Sequence, residues 1–174
     1  MFPEKYLKDL ESSRRRLKLF QYLFAGLLFV LSFLFTGPLI HEFSHALWLE
    51  FHNCFYDMSL EFRYIAGLRG KIDPGCNLNS SALVVFYSIG YFNTLLIGTL
   101  IDLYGRATDG KHLYLSTISI GILISVLASI GLKGDLQSAA KVLEAPSGTA
   151  SIVAIFISLG IISLTYKTVK DFEN

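Results

Sequence analysis

The chain has 174 residues, of which 52% are hydrophobic, and its mean hydropathy is +0.50. This is too apolar for an ordinary soluble domain, and the length allows one domain. The net charge of +1 provides no global basic field to indicate a nucleic-acid partner, and two cysteines make neither a disulfide framework nor a Cys-rich metal site. We therefore expect an integral, multi-pass, mainly α-helical protein of the cell membrane.

The N-terminal residues 1–18 are polar and basic. Tyr6, Leu7 and Leu10 recur at helical spacing, which is typical of a short amphipathic helix on the membrane surface. We interpret the segment as a surface helix or a basic anchor. It is not a cleavable signal peptide, because the apolar run that follows is too long and no small-residue cleavage site ends it. Its last basic residues are Arg14, Arg15, Arg16 and Lys18.

Residues 19–51 form the first predicted span. The apolar run from Leu19 to Ile40 is long enough to cross the ~30 Å hydrocarbon core once. Gly37-Pro38 should bend or break the helix. Two spans turning at residues 37–38 are the alternative to one long kinked helix. We favour one helix, because the stretch is short for two spans and a turn.

This span runs into His41-Glu42-Phe43-Ser44-His45, an H-E-x-x-H motif. On a helix, positions i and i+4 share a face. Two imidazoles placed there can bind one Zn²⁺, and the glutamate between them can act as a general base. Ionisable groups near membrane depth are expensive and usually functional. The motif predicts that His41 and His45 are metal ligands and that Glu42 is catalytic.

Residues 59–72 predict a β-hairpin. Apolar and polar side chains alternate on either side of Ala66-Gly67, and Asp73-Pro74-Gly75 is a turn signal. An edge of the hairpin can bind an extended peptide by β-augmentation, but a solvent-exposed linker hairpin would have the same pattern. Cys54 and Cys76 lie on either side. They would pair on an oxidising side of the membrane, but we expect two free thiols.

Three further spans are predicted at residues 82–101, 113–132 and 150–166. With residues 19–51 they form a single domain over residues 19–174, a polytopic bundle of about four to five transmembrane helices. Asn93 lies in the uncharged second span. An amide in such a helix packs against another helix or holds a substrate backbone.

A catalytic zinc needs a third protein ligand. His52 shares the face of the motif but is about 10 Å beyond His45 along the helix axis. Asp135 follows a glycine-containing interruption of a span, and irregular backbone at membrane depth is tolerated only where it is buried in protein or lines a wet cavity. We choose Asp135, which can also cap a helix running to Glu144. The remaining candidates are Asp102, Asp109 and His112.

Together these features resemble the site-2 protease family of intramembrane zinc metalloproteases. The resemblance covers roughly residues 20–145, and it rests on the apolar span running into the motif through Ala46, the hairpin, and Asp135 after a later span. It implies that one Zn²⁺ per chain is bound by His41, His45 and Asp135, that Glu42 is the base, and that Asn93 helps to hold the substrate. The family cuts transmembrane segments of other proteins, often to release membrane-tethered regulators.

The sequence also departs from that family in two places. Lys133-Gly134-Asp135-Leu136 stands where the family has Asn…Pro…Leu-Asp-Gly, and Ser44 stands where a glycine is usual. We expect metal-assisted peptide hydrolysis, with the lipid bilayer and a transmembrane protein substrate as partners and no nucleic acid. The alternative is a non-catalytic, membrane-embedded relative that binds transmembrane partners. A metal carrier fits poorly, because no run of intramembrane acidic or histidine residues accompanies the motif.

The sequence leaves the orientation in the membrane open. The basic cluster of residues 14–18 favours a cytoplasmic N-terminus and, with one long first helix, a metal site near the outer face. The resemblance instead implies a site nearer the cytosol. By the same rule, Arg63, Arg69 and Lys71 favour a cytoplasmic location for the side of the membrane at which the hairpin lies.

Overall fold

The computed structural model describes residues 4–63, 67–108, 112–130, 135–146 and 148–173. The described chain is mainly helical, with one two-stranded antiparallel sheet. In chain order its elements are α1 (Glu4–Leu31), a π-helical turn (Ser32–Thr36), α2 (Gly37–Phe51), β1 (Tyr56–Arg63), β2 (Gly67–Pro74), α3 (Ser80–Ala107), α4 (His112–Ile130), α5 (Asp135–Val142) and α6 (Thr149–Glu173).

The helix is continuous from Glu4 to Phe51, with no turn of the chain at residues 37–38. A separate surface helix is not seen, because residues 4–18 belong to α1. The backbone N–H of Gly37 donates to the carbonyl of Ser32, five residues earlier. Pro38 has no N–H, and its ring crowds the carbonyl four residues before it. A π-turn immediately before the proline accommodates both effects without ending the helix.

Within the described residues, three helices are long and apolar enough to cross a membrane, namely Glu11–Phe51, Ser80–Ala107 and Thr149–Lys167. A shorter apolar stretch, His112–Leu127, lies in α4. The chain therefore has the character of a membrane protein.

Helix α4 lies in the middle of the helical assembly. It packs against α1, the π-turn, α2, α3 and α6, and Ser116, Ser119 and Ile122 are almost completely buried. Its neighbours approach closely: a Cβ at Gly121 would lie 2.7 Å from the Cβ of Ser32, and a Cβ at Gly98 would lie 2.9 Å from Leu123. Small residues at such seams are typical of helices that pack in lipid.

The predicted hairpin is present and is longer than expected. Strands β1 and β2 pair antiparallel from Tyr56 opposite Pro74 to Arg63 opposite Gly67. Residues 64–66 lie outside the described residues. The hairpin lies beside α2, with β2 as the closer strand. Near the far end of the strands, Phe62 stacks on Phe35 of the π-turn, with ring centroids 5.4 Å apart.

Cys54 and Cys76 form a disulfide, so the expectation of two free thiols is wrong. Local sequence could not reveal this, because the partners are 22 residues apart. The hairpin returns the chain to the end of α2 and brings the two Cα atoms to 5.6 Å, a normal separation for a disulfide. Around the bond, Leu49 and Phe86 form a small buried cluster with Cys54.

Candidate metal centre

Helix α2 places His41 and His45 on one buried face. Their spacing of four residues puts the two rings one turn apart, and their Nε2 atoms are 3.2 Å apart. Asp135, the first residue of α5, meets them from across the assembly. Its Oδ2 atom lies 3.0 Å from each Nε2 atom. The three residues form a group that could hold a metal ion.

The spacing of these three atoms fits a tetrahedral ion. Zinc binds imidazole nitrogen and carboxylate oxygen at about 2.0–2.2 Å, so tetrahedral ligand atoms are about 3.3 Å apart. The observed separations of 3.0 and 3.2 Å are close to that value. Two nitrogens and one oxygen leave a fourth position for water or substrate, which is the pattern of catalytic rather than structural zinc sites.

Asp135 lies outside the three helices that are long enough to span a membrane. Burial raises the pKa of its carboxyl, but hydrogen bonding to His41 and His45 outweighs burial, and the net pKa is well below its ordinary value. The carboxylate is therefore ionised at neutral pH, which is the form that binds a metal.

Helix α3 forms the wall behind the two histidines. A Cβ at Gly90 would lie 2.7 Å from Cε1 of His41 and 2.7 Å from Nε2 of His45, so only glycine leaves room for both rings. Tyr91 packs edge-on against His41, and Phe86 packs against His45, each with ring centroids 4.7 Å apart. Nδ1 of His45 has no hydrogen-bond partner among the described residues, so the ring is oriented by packing against Phe86 and by the contact of its Nε2 with Asp135.

Strand β2 reaches the glutamate of the motif. The backbone amide of Gly70 hydrogen-bonds the Glu42 carboxylate, and a Cβ at Gly70 would overlap the Glu42 side chain. The carboxylate interacts electrostatically with His41, His45 and Asp135. Glu42 is half-buried, whereas its neighbour Phe43 is exposed. The glutamate is thus held between the hairpin and the three potential ligands.

Of the candidates for a third ligand, the structure brings only Asp135 to the two histidines among the residues that it describes. His52 is exposed, and its Nδ1 lies 2.8 Å from the carbonyl of Trp48. Asp102 pairs with Arg106 and accepts a hydrogen bond from Ser116 at the α3–α4 interface. His112 begins α4. Asp109 lies outside the described residues.

Asn93 is half-buried on α3, three residues beyond Gly90. Its assignment to substrate binding stays a prediction. Sequence reasoning missed Gly70, Gly90, Tyr91 and Phe86. A glycine in the middle of an uncharged span was the available signal for Gly90, because glycine within a helix is costly unless close packing requires it.

Comparisons of the chain with protein-family models, with curated proteins and with solved structures found no match. What this protein does must therefore be inferred from its own residues. Two imidazoles, one ionised carboxylate and a second carboxylate beside them make a site that can hold a divalent metal and move a proton.

Proposed function

We propose that the chain is a membrane-embedded zinc metalloendopeptidase of the site-2 protease type, which hydrolyses peptide bonds in or near transmembrane segments of other proteins. The observation that carries the proposal is the convergence of His41, His45 and Asp135 at ligand spacing, with Glu42 beside them. A structural site would not need the glutamate, whereas peptide hydrolysis needs a base next to the metal.

Zinc held by these three side chains would supply Lewis acidity towards water and the scissile carbonyl. Glu42 accepts the proton of the attacking water and delivers it to the leaving amine. The amide of Gly70 fixes one side of the Glu42 carboxylate, so that the other side stays directed to the reacting groups. Tyr91 and Phe86 hold the imidazoles in place and exclude bulk water from behind the site.

The position of the hairpin favours a peptide substrate over a small molecule. It lies along the long helix from the disulfide, past the metal centre, to Phe35 in the π-turn. A peptide bond within a helix is shielded, so the substrate must unwind before it is cut. A strand edge next to the site offers main-chain hydrogen bonds to such an unwound segment. Asn93 is assigned to the same task, as a group that holds the substrate backbone.

We further propose that the protein is multi-pass and resides in the cell membrane, with α4 as a fourth span. α4 is surrounded by other helices that are apolar on their outer faces, so it crosses at the same depth. Its serines are buried against neighbouring helices, as polar groups in lipid require; Ser119 donates a hydrogen bond to the carbonyl of Gly98.

The proposal is tested by zinc content and cleavage in detergent-purified wild type, Glu42→Gln and Asp135→Ala. Elemental analysis should give near one zinc per chain in wild type and in Glu42→Gln, and a clear loss in Asp135→Ala. Cleavage of single-span reporter proteins in liposomes should occur only with wild type. His52→Ala is the matched control, because His52 directly follows the same helix but lies away from the group.

Two outcomes would contradict the protease function. The first is full cleavage by Glu42→Gln, which would show that Glu42 is not the base. The second is zinc binding by the wild type with no cleavage of any reporter, which would favour a non-catalytic protein that binds transmembrane partners.

A further inference from the structure

The two ends of the long first helix are chemically different. Arg14, Arg15, Arg16 and Lys18 are exposed near one end. Beyond the other end, three residues after α2, Cys54 is bonded to Cys76. From Lys18 to His41 the helix rises roughly 35 Å, which exceeds the ~30 Å hydrocarbon core. When this helix spans the bilayer, the basic cluster and the disulfide lie on opposite sides.

The disulfide indicates which side of the membrane is the non-cytoplasmic one. Disulfides form and persist in oxidising compartments and are rare in the cytosol. The end of α2 that carries the disulfide therefore faces away from the cytoplasm. Intracellular disulfides do occur in some hyperthermophiles, so a second and independent observation is needed.

The distribution of basic residues provides that observation. α4 runs parallel to the long helix, because Tyr114 contacts Phe24 while Ile122 and Ser125 lie against Gly37. α3 ends beside the start of α4, since Gly105 lies against Leu115. The last turn of α3 is thus at the same membrane side as the N-terminal cluster, and this turn contains Arg106.

By the positive-inside rule the side with more Lys and Arg near the span ends is cytoplasmic. Counted towards the opposite side, Arg69, Lys71 and Lys141 are outnumbered, among the described residues, by Arg14, Arg15, Arg16, Lys18 and Arg106.

We propose that the metal centre opens to the non-cytoplasmic side of the membrane and takes its substrate from there. Along the helix axis, His45 and His41 lie roughly 9 and 15 Å from the end of α2 but roughly 40 and 35 Å from Lys18, so the metal centre is much nearer to the non-cytoplasmic end of the helix. The substrate class follows, and it rests on the proposed protease function. It comprises transmembrane segments that unwind in their non-cytoplasmic half. This selects one of the two orientations that the sequence left open, and it is opposite to the side that the family resemblance implies.

Thiol labelling of spheroplasts tests the orientation. Cys54 and Cys76 are the chain's two cysteines, so a Cys54→Ser/Cys76→Ser background carries no thiol of its own. Into it we would place one reporter at a time, Asn77→Cys or Ser12→Cys, both at exposed positions. A membrane-impermeant maleimide should label Asn77→Cys in intact spheroplasts and Ser12→Cys only after permeabilisation. The reverse pattern would overturn the proposal.

The wild-type chain provides the second arm. In wild-type membranes quenched with acid to prevent thiol exchange, Cys54 and Cys76 should not react with maleimide until a reductant is added. A membrane-impermeant reductant should be enough to reduce their disulfide. Free thiols in freshly trapped wild type would remove the disulfide as an indicator of compartment and overturn the proposal. Neither arm needs catalysis, so an inactive protein would count against the protease function and leave the orientation measurable.

Cleavage mapping tests the substrate class. Two single-span reporters would be compared, identical except that helix-breaking residues lie in the non-cytoplasmic or in the cytoplasmic half. The first should be cut and the second spared, with product masses that place the cut in the non-cytoplasmic half. Cuts confined to the cytoplasmic half would overturn the proposal even if the labelling agreed.

Discussion

At the scale of single residues, the candidate site depends as much on missing side chains as on present ones. Gly90 leaves the space that the rings of His41 and His45 occupy, and Gly70 leaves the space for the Glu42 carboxylate. These are close approaches between elements, which require a residue without a Cβ. The positions of the motif side chains therefore depend on two glycines that have no reactive side chain of their own.

Gly90→Ala should weaken metal binding. The new methyl would lie within 2.7–2.8 Å of atoms of both imidazole rings, so at least one ring must turn away from the shared site. We expect a loss of zinc affinity of about 10- to 100-fold, the range for changes that disturb ligand orientation. Competition with a chromogenic chelator would measure it.

Gly160→Ala is the matched control for this prediction. It also adds a methyl to a glycine within a helix, but nothing lies within 4 Å of its Cβ position. Its zinc affinity should equal that of wild type. Equal affinity in Gly90→Ala would show that the histidines do not bind metal in the observed arrangement.

The motif and its third partner could be read from the sequence for different reasons. His41, Glu42 and His45 are fixed by helix periodicity, which is local. Asp135 was chosen because its interrupted span requires a buried or wet environment, and this was enough to single it out. Gly70 and Tyr91 could not be predicted, because their importance arises from contacts between segments far apart in the chain.

At the scale of elements, the hairpin and the long helix act together. The hairpin is held at three levels of the helix: by the disulfide beyond its end, by Gly70 at Glu42, and by Phe62 at Phe35. Alternation in residues 59–72 was enough to predict the strands. Their attachment was not predictable, because pairing of two cysteines depends on compartment and on the path of the chain.

Cys54→Ser/Cys76→Ser should lower stability and activity while zinc binding persists. Removing the cross-link between cysteines that are 22 positions apart frees the loop between them, for which a loss of about 2–4 kcal/mol is typical. The hairpin then moves more freely, and Gly70 holds Glu42 less well. Thermal unfolding in detergent, zinc content and reporter cleavage would be measured together.

The wild type treated with reductant is the companion to this variant, and it should show the same loss. Loss of zinc in the double variant would contradict the assignment, since none of the three proposed ligands lies within the cross-linked loop. Unchanged activity would mean that the hairpin is held well enough by its other two contacts.

At the scale of the whole molecule, α4 is the element around which the other helices pack. In lipid the hydrophobic effect does not drive helices together, so close packing and hydrogen bonds between helices must do so. The seams of α4 contain small residues and serines, as this requires. The sequence predicted the helix but not its central position, since a uniformly apolar helix has no distinct face.

Gly121→Ala should loosen the α1–α4 seam. The added methyl would lie 2.8 Å from the carbonyl oxygen of Phe29, and backbone yields less readily than a flexible side chain. Overpacking of this kind costs about 1–3 kcal/mol. The midpoint of unfolding in mixed detergent micelles should fall accordingly.

Gly26→Ala, at an exposed position of α1, should leave that midpoint unchanged or raise it, because no atom lies within 4 Å of its Cβ position. Equal midpoints for the two variants would argue against the parallel packing of α1 and α4.

The depth reached by the hairpin means that the bilayer does not surround this molecule evenly. Ile152, Phe156 and Leu159 are exposed on the outer side of α6, where contact with lipid acyl chains is favourable. On the other side, a strand edge and the charged pair of Lys71 and Asp73 demand hydration. The molecule thus has one apolar side and one hydrated side. Under the proposed function, a segment of another protein would reach the candidate metal centre from the hydrated side, beside the hairpin.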